Sequence, residues 1–182
     1  LTKKNIFGFS KKKKININHR LHSKKLGGGT ILDLGCYPVS LSILIASTIS
    51  KIDYDKIKVL DKIKELGSTE VDINSHAKLK FENGFTSEVN ASFSKELGKE
   101  TVIRGTDGIM RIMNPWQVEP STIILEGKIN KKIEVECVNN IFLYEINTIS
   151  KNILEGKTKP DFPGLSIEET IGGTTVLDKW LN

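Results

Sequence analysis

A run of short β-type segments joined by tight turns is the feature that most limits how this chain can fold. Segments rich in β-branched and apolar residues follow one another through its middle, at 56–64, 70–82, 85–94, 100–105, 108–113, 121–128 and 131–138. Asn83-Gly84 is typical of a hairpin turn because both residues tolerate positive φ, and 105–108 and 127–130 are further turn candidates. Because tight turns join antiparallel neighbours, the pattern predicts an antiparallel sheet.

Helical patterns lie on either side of these strands. The stretch from Thr30 to about Ser50 is long and apolar, which predicts a largely buried helix. Pro38 has no N–H to donate to the carbonyl of Leu34, so either the helix kinks there or a new helix begins with Pro38 in its first turn. A second helix is predicted over 143–156. A third follows a capping box, which consists of Ser166 and Glu169, and four of its residues are predicted to face inward: Ile167, Ile171, Leu177 and Trp180.

The order of these elements defines the predicted fold class. Residues 1–20 alternate as a strand does, 21–29 form a loop, and then come a helix, the strands and two more helices. We therefore predict an α+β fold: an open, mostly antiparallel β-sheet with helices on one face, in a single domain that spans 1–182. The other face of the sheet needs a cover, for which a second domain or a second subunit is the natural candidate.

The net charge of +5 is concentrated at the start of the chain. Nine basic residues precede the first acid, Asp33, and the remaining 18 face 22 acidic residues. Only one of the nine is an arginine, whereas recognition of nucleic-acid bases usually recruits arginine and aromatic side chains. We therefore expect a solvated, lysine-rich strand edge and no nucleic-acid partner.

Cysteines, histidines and hydropathy argue against other classes of protein. The two cysteines do not make a disulfide framework, and the three histidines lack metal-ligand spacing. No apolar run approaches the ~18 residues that a transmembrane helix requires. Lysines interrupt every apolar stretch near the start, unlike a secretory signal. These observations predict a cytoplasmic protein with no metal and no membrane association.

The stretch from Gly27 to Tyr37 is the most informative about chemistry. Asp33 and Tyr37 are four residues apart, so a continuous helix would place both on one face. A carboxylate in an apolar helix needs a partner to offset its desolvation. A tyrosine hydroxyl can be that partner, or can act as an acid or base if its pKa is lowered. Two plainer interpretations stay open, namely Asp33 as a buried cap or hydrogen-bond node and Tyr37 as a core aromatic residue with a satisfied hydroxyl. The glycine triplet matches neither the dinucleotide fingerprint nor the P-loop.

This stretch resembles the Gfo/Idh/MocA oxidoreductases, in particular the dihydrodiol and xylose dehydrogenase branch. The residues Gly27-Gly28-Gly29-Thr30-Ile31-Leu32-Asp33-Leu34-Gly35-Cys36-Tyr37 fit, position by position, the glycine-rich run at the start of that family's second domain. Three later stretches are also similar: 105–108 followed by Trp116, Tyr144-Glu145 at a helix start, and 162–166 before the last helix. The resemblance spans roughly residues 18–181.

The resemblance implies a two-domain enzyme. In such an enzyme an amino-terminal Rossmann domain binds NAD or NADP, and the second domain contacts the substrate and often forms the oligomer interface. Tyr37 would be the acid or base near the reacting hydroxyl, and Asp33 would orient or polarise it. Arg20 and Trp116 match positions that face the substrate in relatives, and His19 is a further candidate at the substrate mouth.

Two hypotheses about function stay open. This chain shows no dinucleotide fingerprint and no Glu-Lys-Pro run, whose lysine partners the tyrosine in relatives, so we expect the Rossmann domain to be absent from it. The first hypothesis is a substrate-binding and oligomerisation domain for a sugar, polyol or diol dehydrogenase, inactive alone and forming a homo-oligomer through its open sheet face. The second is a standalone, non-catalytic open-sheet module that binds a small ligand or forms oligomers.

Overall fold

The structure is a computed structural model that describes residues 18–98, 100–116, 119–137, 140, 142–162 and 164–182. Most of the strand predicted over 1–20, together with the lysine run 11–14, lies outside the described residues. The chain divides into two compact units, which we describe separately: a first unit of Leu1–Lys95 with Thr175–Asn182, and a second unit of Glu96–Thr174.

Helices and antiparallel strands make up both units, which confirms the predicted α+β class. The strands are β1 (Lys58–Leu66), β2 (Asp72–Lys80), β3 (Thr86–Ser92), β4 (Glu100–Gly105), β5 (Gly108–Met113), β6 (Ser121–Gly127) and β7 (Lys131–Val135). The α-helices are α1 (Thr30–Asp33), α2 (Cys36–Ser47), α3 (Phe142–Leu154) and α4 (Ile167–Leu181). Short 3₁₀ turns cover Arg20–His22, Lys24–Leu26 and Tyr54–Lys56.

The first unit contains an antiparallel sheet in the order β1-β2-β3. The predicted hairpin joins β2 to β3, and Gly84 adopts a φ of 87° in its turn. The register of β1 against β2 shifts between Leu60 and Ile63, where Asp61 has a φ of 51°. This irregularity is typical of a β-bulge in a strand at the sheet edge, where it discourages pairing with another chain.

One face of this sheet carries the core of the first unit. Buried residues of β2 and β3 pack with those of α1, α2 and the end of α4, and the cluster includes Ile31, Val39, Ile43, Ala77, Leu79, Val89, Val176 and Trp180. Trp180 is fully buried, and its indole N–H donates to the carbonyl of His76 at 3.2 Å. The helices therefore cover one face of the sheet, as predicted. The other face carries polar pairs such as His76 and Asn90, whose side chains lie 3.0 Å apart.

The single helix predicted from Thr30 to about Ser50 is interrupted. α1 ends at Asp33 and α2 begins at Cys36, so Pro38 lies in the first turn of a new helix, which was one of the two predicted alternatives. The carbonyl of Leu34 accepts a hydrogen bond from the backbone N–H of Tyr37 at 3.3 Å, since Pro38 has no N–H to offer. The axis bends by 47° between Lys24–Asp33 and Cys36–Ser47.

The second unit contains an antiparallel sheet in the order β4-β5-β6-β7. Its register aligns Ile112, Ile123 and Ile133 across three neighbouring strands, which makes one face apolar. On the other face, the guanidinium of Arg111 lies 3.2 Å from a carboxylate oxygen of Glu100 and 3.2 Å from one of Glu126. The two predicted turns lie at the end of this sheet, where the Lys128 ammonium is 2.7 Å from the Asp107 carboxylate.

The last helix, α4, begins with the predicted capping box. The backbone N–H of Ser166 donates to the Glu169 carboxylate at 2.8 Å, and the N–H of Glu169 donates to the Ser166 hydroxyl at 3.1 Å. The predicted inward face is wrong at its start, because Ile167 and Ile171 are exposed. Within α4, only the residues from Thr175 onward belong to the first unit, and Val176 and Trp180 are part of its core.

No single helix within the described ranges has both the length and the apolar character that crossing a membrane requires. The bent pair Lys24–Asp33 with Cys36–Ser47 meets the criterion only when its two parts are combined, by length and composition alone.

Candidate functional site

The glycine run at 27–29 is shaped by contacts with the rest of the chain. A side chain at Gly28 would meet the carbonyl oxygen of Leu21 at 2.5 Å, and one at Gly29 would meet the Asp72 carboxylate at 2.2 Å. The backbone N–H groups of two of these glycines are also hydrogen-bonded. That of Gly28 donates to the carbonyl of Ser23 at 2.9 Å, and that of Gly29 to the carbonyl of Leu21 at 3.0 Å. The glycines therefore allow two backbone segments and one buried carboxylate to approach closely.

That carboxylate, Asp72, is a feature that the sequence prediction missed. Asp72 is the first residue of β2 and only 3% exposed. Its Oδ2 accepts hydrogen bonds from the Thr30 hydroxyl at 2.7 Å, the Ile31 N–H at 2.7 Å and the Ser75 hydroxyl at 3.1 Å. These bonds satisfy the carboxylate in its buried position. An aspartate at the start of a predicted strand gives no sequence signal that distinguishes it from a surface residue.

Asp33 and Arg20 form the first part of the candidate site. A guanidinium nitrogen of Arg20 lies 3.6 Å from a carboxylate oxygen of Asp33, with side-chain exposures of 69% and 24%. Asp33 is thus neither a cap nor deeply buried. The condition for Asp33 and Tyr37 to share one face of a continuous helix is not met, because α1 ends at Asp33 and Tyr37 is in the first turn of α2.

Tyr37 presents its ring to solvent. Its exposed fraction is 58%, so the interpretation of Tyr37 as a core aromatic residue is wrong. Tyr37 lies in the first turn of α2, two residues after Gly35 and directly before Pro38. A guanidinium donates, a carboxylate accepts and a phenol does both. Together these groups can bind a small ligand that carries several hydroxyls, and the phenol can exchange a proton with it.

His19 lies beside Arg20 at the start of the segment. Its Nδ1 accepts a hydrogen bond from the backbone N–H of Leu21 at 3.3 Å, which caps the 3₁₀ turn Arg20–His22. The predicted strand over 1–20 is therefore wrong at residues 18–20, because this turn begins there. Of these residues the structure pairs Arg20 with Asp33, while His19 and Tyr37 lie in the same stretch, 19–37, of the first unit.

Trp116 belongs to the second unit and is described only within it. It follows Asn114, which has a φ of 46°, and Pro115, and its side chain is about half exposed. An exposed indole after this turn is compatible with the predicted role of Trp116 in contacting the substrate, and this role stays a prediction.

Cys36, between Asp33 and Tyr37, is not prepared to act as a nucleophile. Burial raises the pKa of its thiol above the ordinary value of 9.0, a backbone hydrogen bond at Tyr37 lowers it by less, and the negative charge of Asp33 also raises it. The thiolate, which is the reactive form, is therefore suppressed at neutral pH.

The described residues do not fit a nicotinamide dinucleotide. The glycine run that could cradle a pyrophosphate has its amides bonded to Leu21 and Ser23, and the start of α1 already holds the Asp72 carboxylate. All strand pairings in this part of the chain are antiparallel, whereas the Rossmann site needs a parallel βαβ unit. Across the described ranges, no group of three or more His, Cys, Asp or Glu residues could hold a metal ion.

Fold and site together define an α+β domain whose helix-covered sheet carries an exposed polar segment. Residues 6–111 match the family model described as the GFO/IDH/MocA C-terminal domain. Because this match covers more than half of the chain, the chain belongs to that family, as predicted from the sequence. The comparison with curated proteins gave no match.

Solved structures of oxidoreductases share the fold. An aldose-aldose oxidoreductase from Caulobacter crescentus complexed with glycerol is 15% identical, with a TM-score of 0.72 over 91% of this chain and 48% of that chain. A 3-ketoreductase from Actinomadura kijaniata in complex with NADP and TDP-benzene is 16% identical, with a TM-score of 0.71 over 91% and 48%. A dehydrogenase from Clostridium difficile is 19% identical, with a TM-score of 0.60 over 82% and 46%. This chain spans about half the length of these proteins.

Proposed function

We propose that this domain is the substrate-binding part of an NAD(P)-dependent oxidoreductase that acts on a sugar, polyol or diol, in the dihydrodiol and xylose dehydrogenase branch. The observation that carries the proposal is the grouping of an Arg20–Asp33 ion pair and an accessible Tyr37 on one short segment. Adjacent hydroxyls of a ligand can donate to the carboxylate and accept from the guanidinium. The glycerol in one structural neighbour and the NADP in another support the class of ligand.

Each residue of the segment has a distinct role in this proposal. Tyr37 exchanges the proton of the reacting hydroxyl, a kind of help that typically contributes about 10²–10⁴-fold to rate. Asp33 orients that hydroxyl, and Arg20 holds Asp33 while contacting the substrate. His19 supplies a further substrate contact, and Trp116 is proposed separately as a substrate contact of the second unit. NAD or NADP is bound mainly by a Rossmann domain, so that this domain alone is inactive.

The sheet face that the helices leave uncovered is proposed as the contact between two copies of the chain. Leu60 and Ile63 of β1 are exposed on that strand, beside polar residues that can pair across an interface. Sedimentation should show a dimer or higher oligomer that Ile63→Glu shifts toward the monomer. A wild-type monomer at every concentration would contradict this assignment. The cytoplasmic location and the absence of nucleic-acid and membrane partners stay predictions.

Ligand binding to the isotopically labelled chain tests the proposal directly. Sugars, polyols and vicinal diols are titrated to concentrations well above the ~1 mM upper range of typical KM values, while backbone amide resonances are recorded. We expect at least one compound to shift resonances of Arg20, Asp33 and Tyr37, and Asp33→Asn to weaken that response. Glu82→Gln is the matched control, because Glu82 is an exposed acid paired with Lys56 elsewhere on the first unit.

Two results would count against the proposal. If no compound shifts these resonances, the segment is not a hydroxyl-binding site. If shifts occur equally in Asp33→Asn and in the wild type, the ligand binds elsewhere and the Arg20–Asp33 pair is only a surface ion pair, of the kind that contributes little.

A further inference from the structure

The buried carboxylate of Asp72 contacts the same segment that carries the candidate site. One of its oxygens, Oδ2, accepts three hydrogen bonds, two of them from the first two residues of α1, Thr30 and Ile31. The third comes from Ser75 on the same strand. The Thr30 and Ser75 hydroxyls also lie 3.1 Å apart, so the four groups form one closed cluster. An ionised carboxylate can only accept, which fixes the direction of every bond made to it.

The helix that this cluster holds cannot fix its own position. α1 consists of four residues, far fewer than an isolated helix needs in water. Its backbone bonds are few: the N–H of Asp33 donates to the carbonyl of Gly29 at 3.2 Å, and those of Leu34 and Gly35 both donate to the carbonyl of Thr30 at 2.9 Å. The position of Asp33 therefore depends on the contacts that hold the first turn. Ile31 packs in the core, and Asp72 is the one buried charged residue, within the described ranges, that bonds to this turn.

We propose that Asp72 is a positioning residue of the candidate site: it clamps the start of α1 to β2 and thereby fixes Asp33 and the entry of the chain into α2 at Tyr37. This inference rests on the function proposed above for Asp33 and Tyr37. Asp72 is 3% exposed, so it acts through the backbone and not by touching a ligand. Position 29 requires glycine, because a side chain there would meet the same carboxylate. The clamp therefore depends on this close approach of Gly29 to Asp72.

The test uses the full chain labelled with 3-fluorotyrosine, whose three tyrosines give three fluorine resonances. Tyr37→Phe assigns the resonance of Tyr37, and the other two serve as internal references. Asp72→Ala should shift or broaden the Tyr37 resonance and leave the references in place. Asp72→Asn keeps an acceptor oxygen for the same three donors and should restore most of the wild-type spectrum.

A matched control separates positioning from stability. Ser87→Ala removes a partly buried bond between helix and sheet, the 2.7 Å contact between the Ser42 and Ser87 hydroxyls. It should lower the Tm without moving the Tyr37 resonance. If Asp72→Ala does not fold, Thr30→Val removes one donor from the clamp at constant shape, and Thr30→Ser keeps it. Thr30→Val should then move the Tyr37 resonance and Thr30→Ser should not.

The outcomes distinguish this proposal from the one on which it rests. A Tyr37 resonance that is unchanged in Asp72→Ala, or that moves only together with both references, overturns the positioning role. With the clamp intact, addition of the sugars and diols should move the Tyr37 resonance, and Asp72→Ala should weaken the apparent affinity at least about tenfold. If the resonance follows the Asp72 variants but responds to no ligand, the clamp stands and the proposed function fails.

Discussion

Gly35, between Asp33 and Tyr37, offers a direct test of how the site segment is held. Its backbone is ordinary for a helix, with φ −65° and ψ −23°, so conformation alone does not require glycine. At such a position alanine is usually favoured over glycine by about 1 kcal/mol. A side chain here would, however, lie 2.5 Å from the carbonyl oxygen of Ile31 and 2.7 Å from Cζ3 of Trp180. The two effects oppose each other, and the contacts decide the sign.

We expect the contacts to dominate in Gly35→Ala. Ile31 and Trp180 are both fully buried, and one of the two clashing atoms belongs to the backbone, so neither can move away easily. Overpacking of this kind costs about 1–3 kcal/mol. After subtraction of the gain in helix propensity, the net loss in the free energy of unfolding should be greater than zero and at most about 2 kcal/mol. Urea denaturation followed by circular dichroism measures it.

A double-mutant cycle identifies the atom responsible. Trp180→Phe removes the outer ring that carries Cζ3, so Gly35→Ala should cost less in that background, with a coupling of about 0.5–3 kcal/mol. Gly105→Ala is the control, because its added carbon would meet nothing closer than 3.9 Å and should change stability by at most about 0.5 kcal/mol. A neutral or stabilising Gly35→Ala would refute the reasoning, and with it the claim that Trp180 shapes the break between α1 and α2.

Three further predictions concern Tyr37, the binding of nicotinamide cofactors to this chain, and Cys36. Tyr37→Phe should change the free energy of unfolding by less than about 1.5 kcal/mol, the range of one hydrogen bond, yet in the complete enzyme it should cut turnover at least about tenfold; unchanged turnover would leave the hydroxyl without a catalytic role. NADH or NADPH added to this chain should give no fluorescence change, and a Kd below the millimolar range would show that the cofactor site has been misplaced. Because burial and Asp33 raise the pKa of Cys36 above 9.0, the folded state holds its proton longer than the unfolded state, so this contribution to stability is lost as pH rises beyond about 9. Asp33→Asn should accordingly speed alkylation of Cys36 at fixed pH, and an unchanged rate would contradict the electrostatic contribution.

Turn chemistry explains why the strands could be predicted from the sequence. Gly84 adopts a positive φ in the predicted Asn83-Gly84 turn, and β2 and β3 pair across it as expected. The boundaries predicted for β4 and β5 coincide with the structure, because glycines at 105 and 108 mark the turn between them. These signals are local, since a turn residue and its conformation are adjacent in the sequence.

Pro38 predicted a kink or a new start within the first helix, but the packing at that break and the clamp at the start of α1 could not be predicted, because both depend on distant residues. Gly35 is required by a tryptophan near the end of the chain, and Gly29 by an aspartate on a strand. Neither partner carries a local signal. The sequence therefore predicts that Trp180 lies in the core but not that it contacts Gly35, and it gives no prediction for Asp72. The helical period placed Ile171 inward for a related reason: periodicity identifies a face, but only tertiary packing determines whether that face is covered.

The residues proposed to bind a ligand are therefore distinct from the residues that hold the segment in place. Arg20, Asp33 and Tyr37 are accessible, and exposed side chains of this kind contribute little to stability. Asp72 and Trp180 are buried against the start of α1 and against the break after it, where substitutions are costly. Because the accessible groups lie on a segment fixed at both points by the core, they can be exchanged without unfolding the domain. Under the proposed function, this arrangement would let the substrate change through the exposed residues alone while the scaffold is kept, in line with the general rule that function lies in sites carried by a fold.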